Sequence, residues 1–367
     1  MKKIIPALLA AAMLLAGCHS SGIPETTEET ILYGTADLLS VETAAEPAPS
    51  ERPEPSAVTE ATEAPTEPTE QRYTLSFVGD CTLGCHTLHT NMGFGFLKVV
   101  GDDLRYPMEN VRTYFENDDL TFANLEGILN DGDAKPDPEK IYNFKGPTSY
   151  TGILTENSIE VVSLANNHTM DYGPEGYAST KAALDAAGVS YAERDHSVIV
   201  TSESGLTVGI YAILFYKVDE ARMVEEIAKL SEQCDIVIYA PHWGVEGSYN
   251  VIDVQTRQAH KAIDAGADIV WGHHPHLLQP VEYYEDGMIF YSMGNFCFGG
   301  NMYPSDMDTA ILQVEVIRSP EGEISLGDLT VIPYSVSSME VRNNFQPTPY
   351  EEGSAGWNRV YKRLGLD

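Results

Sequence analysis

Positive charge is scarce in this chain: 22 Lys and Arg stand against 55 Asp and Glu in 367 residues. Binding along a nucleic-acid backbone draws on clusters of Lys and Arg that neutralise phosphates, so this balance argues against nucleic acid as a partner. It argues equally against resting flat on anionic lipid. Cysteine is sparse as well. Besides Cys18 there are Cys81, Cys85, Cys234 and Cys297, with no CxxC spacing, which counts against a structural zinc knuckle. No GxxxxGK[ST] loop occurs, so an ATP-driven ligase step would have to lie in another protein. There is no GxSxG elbow of a serine hydrolase, no internal repeat, and after residue 17 no apolar run long enough to span a bilayer.

What is present begins with an export pattern. Met1-Lys2-Lys3 gives a positive start, Ile4 to Leu15 an apolar run too short for a mature span, and Leu15-Ala16-Gly17-Cys18 an ending of small residues before a cysteine. Residues 1–17 are expected to be a signal peptide. The ending is similar to a bacterial lipobox, which implies cleavage before Cys18, lipidation of its thiol, and a membrane partner through that anchor on the extracytoplasmic face. Residues 18–71 are rich in Glu, Thr, Pro, Ala and Ser, as in Glu60-Ala61-Thr62-Glu63-Ala64-Pro65. Few large apolar residues and many like charges predict a disordered, extended tether. Within it, Thr30-Ile31-Leu32-Tyr33 reads as an isolated sticky patch.

Residues 72–335 carry the pattern of one large folded domain, with 336–367 as a C-terminal extension. Tyr73 to Val78, Leu120 to Ala123, Ile159 to Leu164, Leu206 to Leu214 and Asp235 to Ala240 read as strands. Helices are expected at Pro107 to Glu116, Glu175 to Ala187, Asp219 to Gln233 and Val254 to Ala265. In the second of these, Pro174 suits a first helical position, and Ala178, Ala182, Ala183 and Ala186 form an apolar stripe. Thr309 to Ile317 with Glu323 to Ile332 reads as a closing hairpin. The result is an α/β layered domain finished by antiparallel strands.

Polar residues gather where these strands end. Asp80 follows the first, Asn124-Leu125-Glu126 the second, Asn166-Asn167-His168 the third, and His242-Trp243-Gly244-Val245-Glu246 a later one. The run Ala267-Asp268-Ile269-Val270-Trp271 then breaks into Gly272-His273-His274-Pro275-His276. A single Asp or His there would be a cap or a turn-former. Capping does not call for imidazoles at several strand ends, whereas a metal centre does, and mixed oxygen and nitrogen donors suit zinc, manganese or iron. Trp243 and Tyr291 could stack on a ligand, although rings at such positions more often belong to a core.

With Tyr291-Ser292-Met293-Gly294-Asn295-Phe296 added, this ordered set resembles the CapA/PgsA family, the poly-γ-glutamate capsule synthesis proteins, whose domain is similar to the calcineurin-like metallophosphoesterases. The resemblance covers about Tyr73 to Tyr334. It implies a four-layer α/β/β/α sandwich with one or two divalent ions at the strand ends. Asp80 then looks like a first-metal ligand, Glu126 a bridging carboxylate, Asn167 and His242 second-metal ligands, His274 and His276 paired terminal ligands, and His168 the catalytic acid or oxyanion stabiliser. Three positions depart from the phosphoesterase pattern. Thr82 stands where a histidine is expected, Glu126 replaces an aspartate, and Thr169 follows His168 where an acidic residue is common. Glu246 or His273 could fill the gap left by Thr82.

Such a centre suits hydrolysis at phosphorus or at an acyl carbon, because paired cations about 3.5–4 Å apart clamp substrate oxygens and activate water. Three readings stay open. One is a lipid-anchored metal-dependent hydrolase of a phosphoester or an anionic envelope polymer. Another is a non-catalytic polymer-binding partner of a membrane capsule polymer synthase complex. The third is a general phosphodiesterase acting outside the cell. The acidic balance disfavours simple capture of polyglutamate unless cations screen it.

Overall fold

The computed structural model describes residues 69–215 and 218–367; Cys18, the expected signal segment and residues 19–68 lie outside the described residues. The fold is mixed α/β. Its larger sheet takes strands in the order Thr348–Pro349, Ile324–Ser335, Asp308–Arg318, Gln71–Thr82, Leu120–Leu125, Val161–Ser163 and Ser190–Ala192, with Asn295–Phe298 also paired to Gln71–Thr82. A second sheet runs Val281–Tyr284, Gly287–Phe290, Ile269–Trp271, Ile236–His242, Thr207–Leu214 and His196–Thr201. A small third sheet joins Cys85–His86, Phe144–Gly146 and Ile128–Leu129.

Alternation along the strands assigns their faces. Tyr73, Leu75 and Phe77 share an apolar cluster with Ile210, Ile238 and Trp271 of the second sheet. Ala123 and Val162 pack instead with Ile153, Leu154 and Leu184, which lie on helices Thr151–Thr155 and Gly173–Ala187. Tyr211, Val237 and Tyr239 cluster with Met223, Ile227 and Ala259, carried by helices Glu220–Ser231 and Asp253–Asp264. Burying one such Leu or Phe is worth about 1.5–3 kcal/mol, so these three clusters dominate the favourable side of folding.

Some expectations need correction. Pro107 to Glu116 is not one helix; a 3-10 turn at Tyr106–Met108 is followed by a short helix at Arg112–Phe115. Helix Gly173–Ala187 starts around Pro174 as expected, but it buries Gly176, Thr180 and Leu184. Ala178, Ala182 and Ala186 face solvent. Alanine has little area to hide, whereas Gly176 allows close approach to Ile128, and the Thr180 hydroxyl accepts from Leu129 N at 2.9 Å. The closing hairpin is present, and its strand Asp308–Arg318 pairs antiparallel with Gln71–Thr82. Residues 336–367 contribute strand Thr348–Pro349 and helix Ala355–Leu364, whose Val360 and Leu364 are buried in the cluster between the sheets. The four cysteines among the described residues are free thiols.

Candidate metal centre

Parallel pairing fixes where the polar residues meet. Asp80 lies in register with Asn124 on one side and Asn295 on the other, so three strands present polar groups at the same level. In the second sheet, His242 ends its strand and bridges in parallel to His273. Gly272 permits this crossing, because a Cβ there would stand 2.3 Å from Tyr291 O and 2.7 Å from the Trp243 indole nitrogen. The loop that follows is tightly bent: His274 and His276 both have positive φ, 99° and 59°. Non-glycine residues keep such backbone only when their surroundings enforce it, and they concentrate at functional sites.

Two groups of ligand atoms result, with Glu126 between them. In the first, His276 Nδ1 is 3.0 Å from Asp80 Oδ2 and 3.8 Å from Glu126 Oε2, while His273 Nδ1 is 3.2 Å from Asp80 Oδ1. Asp80, Glu126 and His276 each place one ligand atom within 4.8 Å of the others. In the second group, His242 Nε2 lies 2.7 Å from Asn167 Oδ1, 3.1 Å from His274 Nδ1 and 3.6 Å from Glu126 Oε1. Asp80 Oδ2 and both Glu126 oxygens are buried without a hydrogen-bond partner. A buried unpaired carboxylate is costly unless it is paired or coordinates a cation, so this donor set fits a divalent metal.

The electrostatics follow from the crowding. Burial alone would raise Asp80, yet the His273 and His276 imidazoles close beside it hold it well below the usual carboxylate range. Glu126, with burial unopposed by any hydrogen bond, is pushed well above it. Burial and the neighbouring His274 depress His242, and burial also depresses His274, which leaves both as neutral imidazoles with lone pairs to offer. His276 goes the other way. Burial opposes its charge, but Glu126 and Asp80 raise it to about 10.

His168 sits apart from the ligand atoms, its Nε2 3.9 Å from Glu126 Oε1. Its Nδ1 is 2.7 Å from Asp171 Oδ2, and since a carboxylate only accepts, Nδ1 carries the proton. Asp171 is fully buried; its other oxygen pairs with Lys140 Nζ at 2.6 Å, and it also accepts from Phe144 N. The same ammonium reaches the Asn167 carbonyl. Thus Asp171, three residues after His168, supplies the carboxylate that Thr169 does not.

The remaining sequence-derived candidates separate clearly. The Thr82 hydroxyl donates to Glu126 O at 2.6 Å and is committed to the backbone. His273 reaches Asp80, while Glu246 is exposed on the wall of the cleft, away from the buried atoms. Trp243 and Tyr291 are core rings: the indole donates to Tyr291 O, and the Tyr291 hydroxyl donates to Glu282. Residues given no role in the sequence reading also matter. Asn124 donates to Asp80 Oδ1 at 2.8 Å, Asn166 donates to Asn124 Oδ1 at 3.2 Å, and Asn295 Oδ1 lies 3.0 Å from His276 Nδ1. Only the repeated Asn within the strand-end motifs signalled them. The centre opens into a cleft of about 710 Å³ lined by His168, Asn167, His276 and Asn295 among others.

Fold and site define an α/β domain with a carboxylate–imidazole centre at its strand ends. The model of the bacterial capsule synthesis protein PGA_cap family matches residues 74–300, and the chain belongs to that family. The PGA biosynthesis protein CapA of Bacillus subtilis is 27% identical over 314 residues, covering 80% of this chain and 77% of that protein. The capsule biosynthesis protein CapA of Bacillus anthracis is 27% identical over 324 residues, 81% of this chain and 74% of the relative. A probable polyglutamine synthesis accessory protein of Mycobacterium tuberculosis is 27% identical, covering 72% and 78%. Among solved structures, the NAD nucleotidase of Haemophilus influenzae aligns with TM-score 0.39 and 11% identity, over 82% of this chain and 56% of that one.

Proposed function

We propose that this chain is a lipid-anchored, extracytoplasmic capsule-synthesis protein with a metallophosphoesterase-like α/β/β/α domain, acting as a metal-dependent hydrolase of a phosphoester or envelope polymer. The observation that carries the hydrolase reading is the set of three unpartnered carboxylate oxygens on Asp80 and Glu126, facing imidazoles at the floor of an open cleft. The three apolar clusters, one shared by both sheets and one on each outer side, support the layering. Anchoring rests on the residues up to Cys18, and among the described residues no helix is long and apolar enough to cross a membrane.

Asp80, His276 and His273 would hold one ion; Asn167, His242 and His274 would hold another; Glu126 would serve both. Manganese, iron or zinc suits these donors. When bound, such an ion polarises a phosphoryl or carbonyl oxygen and makes water nucleophilic at neutral pH. The protein groups do the rest. Asp171 fixes the His168 ring through Nδ1, which leaves Nε2 to deliver a proton to the leaving group. Lys140 holds Asp171 in place at 2.6 Å, and Phe144 supports the imidazole at 4.4 Å between ring centres.

The accessory reading has one observation in its favour: Thr82, where the phosphoesterase pattern has a ligand, is spent on a backbone hydrogen bond. One set of measurements separates the two. His274→Ala or His276→Ala should remove metal measured by mass spectrometry, whereas His168→Asn should retain it and lower turnover of phosphodiesters or γ-glutamyl amides. Metal bound by the wild type with no turnover of either substrate class supports the accessory role instead. Cys18→Ser should release the protein from membranes or leave it unprocessed.

A further inference from the structure

The cleft above the metal centre carries a ladder of rings. Tyr142, 55% exposed, stacks on Phe144 with centroids 6.4 Å apart. Phe144 in turn lies 4.4 Å from the His168 ring, and Phe298 packs edge-on to Phe144 at 5.7 Å and stands 5.1 Å from the His276 ring. Ile141, 81% exposed, extends this surface to solvent. Gly300 belongs to the ladder too: a Cβ there would stand 2.6 Å from Phe298 Cε1 and 2.8 Å from Phe144 Cε1, so glycine leaves room for both rings.

The rest of the lining is acidic rather than basic. Glu246 and Asp306 contribute carboxylates, the latter already held by Arg363 and Tyr249. Among the described residues that line the cleft, Lys140 is the one Lys or Arg, and Asp171 with the Asn167 carbonyl engages its ammonium. Beyond the reacting group, a chain of carboxylates threaded here would set its charges beside rings and acids, with no uncommitted Lys or Arg to meet them. An apolar group next to a single reacting oxygen would instead cover Tyr142 and Phe144.

We propose that the cleft selects compounds in which one phosphoryl or acyl group is joined to an apolar group that lies along Tyr142 and Phe144; this rests on the hydrolase reading and names its substrate class. Because His168 abuts Phe144, the apolar part lies on the leaving side. Water oxygen bonds to phosphorus or to the carbonyl carbon, and the bond to the leaving atom breaks with its electron pair. That atom takes a proton from His168, and the proton lost by water restores the imidazolium.

Binding calorimetry on the full chain loaded with manganese tests this with three probes that cannot be hydrolysed, phenylphosphonate, hexylphosphonate and methylphosphonate, and with a γ-linked glutamate pentamer whose integrity is checked after the titration. Phenylphosphonate should bind about tenfold more tightly than methylphosphonate, the order that one or two ring contacts supply. Tyr142→Ala should remove most of that factor without changing methylphosphonate affinity, and Tyr142→Phe should keep it. Phenyl above hexyl identifies ring stacking, and equality of the two identifies simple burial; both sustain the proposal. Equal affinity for phenyl- and methylphosphonate, no binding of phenylphosphonate, or tighter binding of the pentamer overturns it. A phenyl preference without turnover of phenyl phosphodiesters would overturn the hydrolase reading alone and leave the ring wall as a ligand-selecting surface.

Discussion

Acidic side chains stand at both ends of the strands, and the two ends treat them differently. At the amino ends four of them find a neighbouring backbone to bind. Asp119 accepts from Thr74 N at 2.7 Å, Glu160 from Thr121 N at 2.8 Å, Asp235 from Thr207 N at 2.7 Å and Asp268 from Val237 N at 2.7 Å. These carboxylates tie one strand to the next. At the carboxyl ends, both Glu126 oxygens are buried with no hydrogen bond, and Asp80 Oδ2 faces the His276 imidazole at 3.0 Å. The same residue type is therefore structural where backbone N–H groups are free to meet it, and is left to fit a cation where imidazoles converge instead.

Four experiments would break or sharpen this contrast. The largest effect is expected for Glu126→Gln, which should abolish turnover and cut bound metal by more than about tenfold, since it weakens the donor shared by both ligand groups. Without metal the same variant should melt no lower than the wild type, because the buried Glu126 oxygens have no hydrogen bond for the substitution to break. A lower melting temperature of the metal-free variant would mean that Glu126 is structural, like the acids at the other end.

Asp171→Asn comes next. An amide no longer enforces the proton on His168 Nδ1, so turnover should drop by about 10²–10⁴-fold while metal content holds. Parallel loss of metal would place Asp171 with the ligands rather than behind His168.

Asp119→Ala should do the reverse. It leaves Thr74 N and the Ser204 hydroxyl without their acceptor, which should cost about 1–3 kcal/mol of stability in denaturant titrations. Metal content should be untouched.

The smallest effect is expected at Asp118, whose carboxyl burial pushes up to about 7 although the Ser76 and Thr121 hydroxyls oppose the shift. The unfolded chain ionises this group near pH 4 and the folded one only near pH 7, so its contribution to stability falls across that window as pH rises. Asp118→Asn should therefore raise the melting temperature at pH 8 and leave it unchanged at pH 4. A rise of equal size at both values would remove titration of Asp118 as the cause.

Much of the site was legible because its residues end runs whose period is plain. Val78-Gly79-Asp80 and Trp271-Gly272-His273 each mark the end of an apolar strand, and such ends deliver ligands in α/β folds. Other parts were not legible. Asp171 is fully buried yet lies in a stretch that reads as an ordinary loop, and Lys140 comes from a polar segment without apolar periodicity. The inward face of helix Gly173–Ala187 was misread because four alanines outweighed Gly176 and Thr180 in an apolar count, although close packing favours the smaller face.

The sequence by itself determined the periodic strands, the acidic balance, and the Asp, Glu, Asn and His residues that end those strands, because these are properties of near neighbours along the chain. Only the tertiary structure decided that Glu126 stands between two ligand groups, that Asp171 rather than Thr169 backs His168, and that Tyr142, Phe144 and Phe298 line one cleft. The reason is distance along the chain: strand Asp308–Arg318 must return to Gln71–Thr82 and His242 must bridge to His273 before any of these atoms meet, and no local pattern encodes that register.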